Sequence, residues 1–140
     1  MTAVPAPPSV GIDIVHILGF REQLDRPGST FENVFSAQEL RVAATKLDRA
    51  VHLAGRWAAK EAFIKAWSQS VYGRPPFIGP DSVDFSEIEV IPDRWGRVAF
   101  NLRGEVAEKC GRPQTSLSIS HDGAYAVAVC NFVADPQAGS

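Results

Sequence analysis

Cysteine is scarce in this chain. Only Cys110 and Cys130 occur in 140 residues, and their spacing fits neither a zinc site nor a dithiol redox pair. A disulfide framework is therefore excluded, and both thiols are expected to be free, as in a reducing cytoplasm. Charge of one sign is lacking too: fourteen basic residues against sixteen acidic leave a net charge of −2. Such a balance offers no global field for nucleic acid or an anionic membrane surface. No run approaches the roughly 18 apolar residues of a bilayer span. The start has no basic patch and no apolar core, so it does not read as a signal peptide. An anionic ligand must then be held by a local cluster of side chains.

What is present is an ordinary globular composition, 45% hydrophobic and 21% charged, at the usual size of one domain. The reading places a single domain over residues 10–133, between a loose arm at 1–9 that carries Pro5, Pro7 and Pro8, and a frayed tail at 134–140. Residues 10–15 are β-branched and apolar and read as a strand, with Asp13 out of place in its middle. A short helix is expected over 18–25, stopped by Pro27-Gly28. Ser36-Ala37-Gln38-Glu39 has the spacing of a capping box. Strands at 88–91 and 97–102 read as a hairpin around Pro92 and Gly96, residues 105–110 as a helix, and 116–120 with 124–132 as a second hairpin joined by His121-Asp122-Gly123.

The strongest helical signal runs from residue 49 to 68, with Asp48 as N-cap and Gly55 its one glycine. At roughly 100° per residue, Leu53, Trp57, Ile64 and Trp67 form the stripe expected to be buried. Lys60 falls inside that stripe, and Arg56 lies one turn behind it. A cation there either snorkels to water along its alkyl stem or meets an anion. Glu61 sits at the stripe's edge with Lys65 four residues on, a spacing that also suits a surface ion pair.

Three blocks stand in order along the chain: Gly11-Ile12-Asp13, then Gly55-Arg56-Trp57-Ala58-Ala59-Lys60-Glu61-Ala62-Phe63-Ile64-Lys65-Ala66, then Ser118-Ile119-Ser120-His121-Asp122. Together they resemble the signature blocks of the holo-acyl-carrier-protein synthases, the short type of 4′-phosphopantetheinyl transferase, and the likeness spans residues 10–132. The resemblance implies an α+β fold, with a small antiparallel sheet packed on one long helix and shorter helices, assembled as a homotrimer. It implies transfer of the 4′-phosphopantetheine group of coenzyme A to a serine of apo acyl carrier protein, or of a carrier domain of a fatty acid synthase, in the cytoplasm.

By the same resemblance Asp13 and Glu61 correspond to Mg²⁺-binding carboxylates, which suits a hard cation that takes one or two carboxylates with phosphate oxygens. Lys65 corresponds to a catalytic lysine near the coenzyme A phosphates. Arg56, Lys60, Ser120, His121 and Gly96 correspond to positions around coenzyme A, with Arg56 and His121 at its 3′-phosphate. From the residues alone His121 reads as a turn histidine. The helix after the first strand lacks the expected basic excess, which leaves two readings open: carrier contact through apolar residues such as Leu18, Phe20 and Leu24, or a carrier domain inside a large synthase as the partner. The rival readings are a Mg²⁺-dependent nucleotide pyrophosphatase and a non-catalytic coenzyme A-binding scaffold.

Overall fold

In the computed structural model, which describes residues 7–138, the chain runs β1 (Ser9–His16), α1 (Ile17–Asp25), α2 (Ala37–Ala43), α3 (Arg49–Ser70), β2 (Ile88–Pro92), β3 (Val98–Leu102), α4 (Gly104–Cys110), β4 (Gln114–Asp122) and β5 (Tyr125–Val133). Each local signal has its physical counterpart. Asp48 caps α3 by accepting from Val51 N, and Ser36 with Glu39 closes the capping box of α2. Gly111 ends α4 at φ +69°, a conformation that favours glycine. His121 lies within β4, and the turn that follows is only Gly123-Ala124, so it is a strand residue and not the turn residue its neighbours suggest.

The antiparallel strands form two small sheets. β1, β5 and β4 form an antiparallel sheet in the order β1-β5-β4, while β2 and β3 pair apart from it. β1 and β5 align from Ser9 opposite Phe132 to His16 opposite Tyr125. One face of the larger sheet, with Gly11, Val15, Ala126, Ala128, Cys130 and Phe132, is buried against α3. The other face leaves Val10, Ile12 and Ile14 at 54%, 58% and 64% exposure. Alternation along a strand normally sends polar residues outward, and here β1 sends aliphatic ones.

α3 is buried over far more than the predicted stripe. Leu53 and Trp67 are buried as expected and Trp57 and Ile64 are half-buried, but Phe63 and the alanines at 54, 58, 59, 62 and 66 are fully enclosed as well. Phe63 meets the rings of Trp67, Phe100 and Phe132 at 6.0, 5.1 and 5.7 Å, so truncation to alanine is expected to cost about 3–5 kcal/mol. Small residues let β1 come close. A Cβ on Gly11 would lie 2.0 Å from the carbonyl oxygen of Ala62 and 2.6 Å from the amide of Ala66. Gly11 is therefore there for close backbone approach, which lowers the strand's third residue on to the helix.

Lys60 neither snorkels nor reaches a surface. Its ammonium is 0% exposed and its three donors meet Glu39 Oε1 at 2.8 Å, the carbonyl of Phe85 at 2.9 Å and that of Ile88 at 2.8 Å. Glu39 in turn accepts from Ser36 N at 2.7 Å and Val90 N at 2.8 Å. Burial pushes the Lys60 pKa down and Glu39 opposes that. Beside it Glu89 is held below the ordinary glutamate value: burial acts to raise it, but bonds from Ser36 and Asn101 with the charges of Arg103 and Lys60 outweigh that. The assignment of Lys60 to coenzyme A is thereby corrected, since no donor of its ammonium is left for a phosphate.

Residues 1–6 of the expected arm and 139–140 of the expected tail lie outside the described span. Ser9 already belongs to β1, its hydroxyl donating to the carbonyl of Ala66 at 2.7 Å. After β5, Asp135 accepts from the amides of Arg112 and Gln137, which fastens residues 134–138 beside α4. Both cysteines are free and buried, their thiols pushed up to about 12, chiefly by burial. Among the described residues no helix is long and apolar enough to cross a membrane.

Candidate active site

Asp13 shares the inward parity of Gly11 and Val15, so the close contact of β1 with α3 delivers its carboxylate to the helix surface. Lys65 Nζ lies 2.9 Å from Asp13 Oδ1 and donates also to the carbonyl of Ile12 at 3.0 Å. The i,i+4 pair with Glu61 that the spacing allows is thus replaced by a bridge from α3 to β1. Glu61, half-buried, lines an open cleft with Asp13, Val15, Phe20, Gln23 and Trp57. Its pKa is raised above the usual glutamate value, first by burial and then by the charge of Asp13, while Lys65 pulls the other way. Two carboxylates crowded in one cleft, with a lysine holding one of them, form a site that gains from a further positive charge.

A second cluster gathers around the N-terminal half of α3. His121, reaching from β4, sits over Gly55 so closely that a Cβ there would meet its Nε2 at 2.8 Å. Its Nε2–H donates to the carbonyl of Val51 at 3.3 Å. The half-buried Arg56 forms no hydrogen bond or ion pair with the described residues. Its pKa is lowered by burial, which the charge of Glu39 partly offsets. His52, one turn before Arg56, is pushed down to about 4 by burial, then by Arg56, Lys46 and His121. Arg56 is thus a half-buried cation with no anion in contact among the described residues and two imidazoles beside it, an arrangement that suits an anion.

The two clusters do not meet within one copy of the chain. Arg56 and Lys65 are nine positions apart on α3, which at roughly 100° per residue places them on opposite faces. Ser120 has the opposite parity to His121 and stands exposed on the outer face of the sheet. Gly96, at φ +85°, forms the β2–β3 turn, beside an exposed Trp95 flanked by Arg94 and Arg97 at 4.4 and 4.9 Å. On α1, Phe20 and Leu24 are buried and only Leu18 is exposed, so two of the three residues assigned to carrier contact serve the core.

His52 and Trp57 are the site residues that the sequence reading missed. His52 had a usable signal, its position four residues before Arg56 on the same face. Trp57 belongs to the stripe expected to be buried, and it does pack Phe31 and Phe85 at 5.2 and 4.8 Å while also walling the carboxylate cleft. Among the described residues no group of three or more His, Cys, Asp or Glu side chains is placed to hold a metal. A pair of carboxylates with space for phosphate oxygens is nevertheless a donor set that fits Mg²⁺, and the raised proton affinity of Glu61 marks a place where a cation relieves charge crowding.

Comparison with known proteins gives the arrangement its relatives. Residues 9–130 match the family described as the 4′-phosphopantetheinyl transferase superfamily. The chain is 56% identical over 128 residues to a holo-[acyl-carrier-protein] synthase of Corynebacterium efficiens, covering 87% of this chain and 91% of that protein. It is 46% identical over 121 residues to one of Mycolicibacterium smegmatis, covering 86% and 92%. Among solved structures, an ACPS–CoA complex of Chronobacterium ammoniagenes is 60% identical at a TM-score of 0.88, covering 93% of this chain and 99% of that one. The acyl carrier protein synthase of Mycobacterium tuberculosis is 39% identical at a TM-score of 0.73, covering 91% and 97%.

Proposed function

The chain belongs to the 4′-phosphopantetheinyl transferase superfamily, and from that premise we propose that Asp13, Glu61 and Lys65 carry its reaction. That reaction transfers the 4′-phosphopantetheine group of coenzyme A to a serine of apo acyl carrier protein, giving holo-carrier and adenosine 3′,5′-bisphosphate in fatty acid biosynthesis. The observation that carries the residue assignment is the convergence of Asp13 from β1 and Glu61 from α3 on one cleft, with Lys65 of α3 paired to Asp13.

The serine oxygen attacks the phosphorus that bears the pantetheine arm. A new P–O bond forms, the bond to the departing bisphosphate breaks, and the hydroxyl proton leaves the serine. Asp13 and Glu61 would hold Mg²⁺, which supplies neutralisation of pyrophosphate charge when bound. Lys65, half-exposed beside Asp13, meets the phosphate oxygens at the leaving side. The serine proton passes to Glu61 directly or through a water between them; a carboxylate that holds the cation is the weaker base, which favours the water. Trp57 and Phe20 wall the cleft and limit water at the reacting phosphorus. The Arg56–His52–His121 cluster takes the remaining anion of the donor, its 3′-phosphate.

A homotrimer with sites between subunits belongs to the same reading, and two observations support it. The outer face of β1 is aliphatic and uncovered, and the two charge clusters lie on opposite faces of α3, so one donor reaches both most simply when they come from neighbouring copies. The cytoplasm follows from the partners, coenzyme A and a carrier protein. The test is to weigh apo carrier after incubation with the chain, coenzyme A and Mg²⁺. The carrier should gain the mass of the phosphopantetheine group with the parent, and gain nothing with folded Asp13→Ala or Glu61→Gln. Phosphopantetheine released without carrier would show a pyrophosphatase instead, and donor binding without either product a scaffold.

A further inference from the structure

We propose that Phe31, a residue outside the carboxylate cleft, is the positioning residue that makes the site choose a carrier serine over water, because its ring sets the two rings that wall the cleft. The inference rests on the transferase reading above. Phe20 from α1 and Trp57 from α3 line the cleft, and Phe31 does not. Phe31 nevertheless meets both walls edge-on: its ring centroid lies 5.4 Å from that of Phe20 at 69°, and 5.2 Å from that of Trp57 at 74°. Aromatic pairs favour this edge-to-face arrangement, which fixes the orientation of a ring as well as its contact. Among the described residues Phe31 is the one ring that packs on both walls.

Phe85 holds Trp57 from its other side, at 4.8 Å and 65°, so Phe20, Phe31, Trp57 and Phe85 form one continuous row of rings. The two neighbours of Trp57 are anchored differently. The carbonyl of Phe85 accepts from Lys60 Nζ at 2.9 Å, which ties it to the buried Lys60–Glu39 pair. Phe31 opens a single 3₁₀ turn, Phe31–Val34, that is fastened by exposed contacts: its amide donates to Ser29 Oγ at 3.1 Å, and Glu32 pairs with Arg49. Half-buried Phe31 is therefore the link of the row that stands nearest to solvent. Without its ring, Trp57 loses support on that side alone and is free to pivot away from Glu61. Phe31 has no group that could bind a phosphate or a metal, so it reaches the reaction only through the rings it touches.

Water and the carrier serine compete for the same phosphorus. With serine, the new P–O bond joins the arm to the carrier; with water, it yields free phosphopantetheine. In both, the bond to the bisphosphate breaks and the attacking oxygen gives its proton to the same base. The bond changes themselves thus do not separate the two nucleophiles, and the separation falls to the walls. The serine arrives already oriented on a docked protein, whereas a solvent water must pass Phe20 or Trp57 to come into line with the leaving bond.

The experiment incubates the chain with coenzyme A, Mg²⁺ and apo carrier, and weighs holo-carrier and free phosphopantetheine in the same sample. The parent should release at least about a hundredfold less free phosphopantetheine than holo-carrier. Phe31→Ala should raise that hydrolysed fraction by about tenfold or more, with KM for coenzyme A within about twofold of the parent. Phe31→Tyr, which keeps the ring edges and can turn its hydroxyl to solvent, should restore the parent's fraction. Phe31→Leu keeps apolar volume but presents no ring, so it should shift in the direction of Phe31→Ala, and it carries the test if the alanine chain does not fold. A merely structural loss lowers transfer and hydrolysis in proportion and leaves the fraction unchanged. A folded Phe31→Ala or Phe31→Leu with the parent's fraction would overturn the proposal, as would a Phe31→Tyr that hydrolyses as much as either. Free phosphopantetheine as the main product of the parent, or no transfer by it at all, would instead sink the transferase reading, and this inference with it.

Discussion

At the scale of single residues, the two unusual titrations make opposite pH predictions. The folded state binds the Glu61 proton more tightly than the unfolded chain does, because burial and Asp13 raise its pKa above 4.5. Its contribution is thus fully present below pH 4.5 and is lost as pH rises through the raised value. Glu61→Gln should therefore melt above the parent at alkaline pH without divalent ions, and the gap should close in mild acid. Thermal denaturation across pH checks this, and a variant that never exceeds the parent would contradict it. His52 has the reverse sign. Its folded pKa of about 4 lies below the ordinary 6.5, so the unfolded chain binds the extra proton and stability falls between those values as pH drops. A His52→Asn chain should show a shallower loss over that interval in the same melts.

Residue chemistry was legible to different depths in the sequence. Asp13 announces itself as an acid in a strand of aliphatic residues, and the structure gives it a partner in Lys65. Lys60 also announces itself as a misplaced charge, but its destination does not follow from helix phase. Its partner Glu39 lies on a different helix, and the two carbonyls it bonds belong to a 3₁₀ turn and a strand far along the chain. Lys60→Met is expected to destabilise by about 3–5 kcal/mol, because Glu39 stays buried without its counter-charge. Chemical denaturation measures that loss, and an unchanged KM for coenzyme A in the folded variant would agree with a structural role. A large rise in KM at unchanged stability would restore Lys60 to the donor site.

At the scale of elements, the central feature is how closely β1 lies on α3. Gly11→Ala places a methyl group 2.0 Å from the carbonyl oxygen of Ala62, and since the contact is with backbone the strand itself must move. A loss of about 1–3 kcal/mol or more is expected, together with loss of transfer activity as Asp13 is carried away from Glu61. A variant as stable and active as the parent would refute the close-packing argument. Element boundaries were mostly readable because caps and turn glycines are local signals. The breadth of burial on α3 was not, since alanine is neutral in a hydrophobic stripe and only acquires meaning when a strand packs against it. The division into two sheets was equally hidden, as β1 and β5 stand at opposite ends of the chain and their pairing is non-local.

At the scale of the whole molecule, the proposed association of neighbouring copies rests on the uncovered face of β1 and the opposed charge clusters. Ile12→Glu puts a charge in the middle of that face and should shift the assembly toward smaller species by light scattering, with transfer falling in parallel. An unchanged mass would remove this face from any interface. The decisive arrangement is nevertheless local: in the proposed mechanism Asp13 and Glu61 share one divalent ion at the donor. It is tested most directly by anomalous diffraction from crystals soaked with Mn²⁺ and coenzyme A. A metal peak bonded to both carboxylates with the donor beside it is expected in every subunit, while a peak bonded to neither acid, with the donor bound elsewhere, would contradict the assignment.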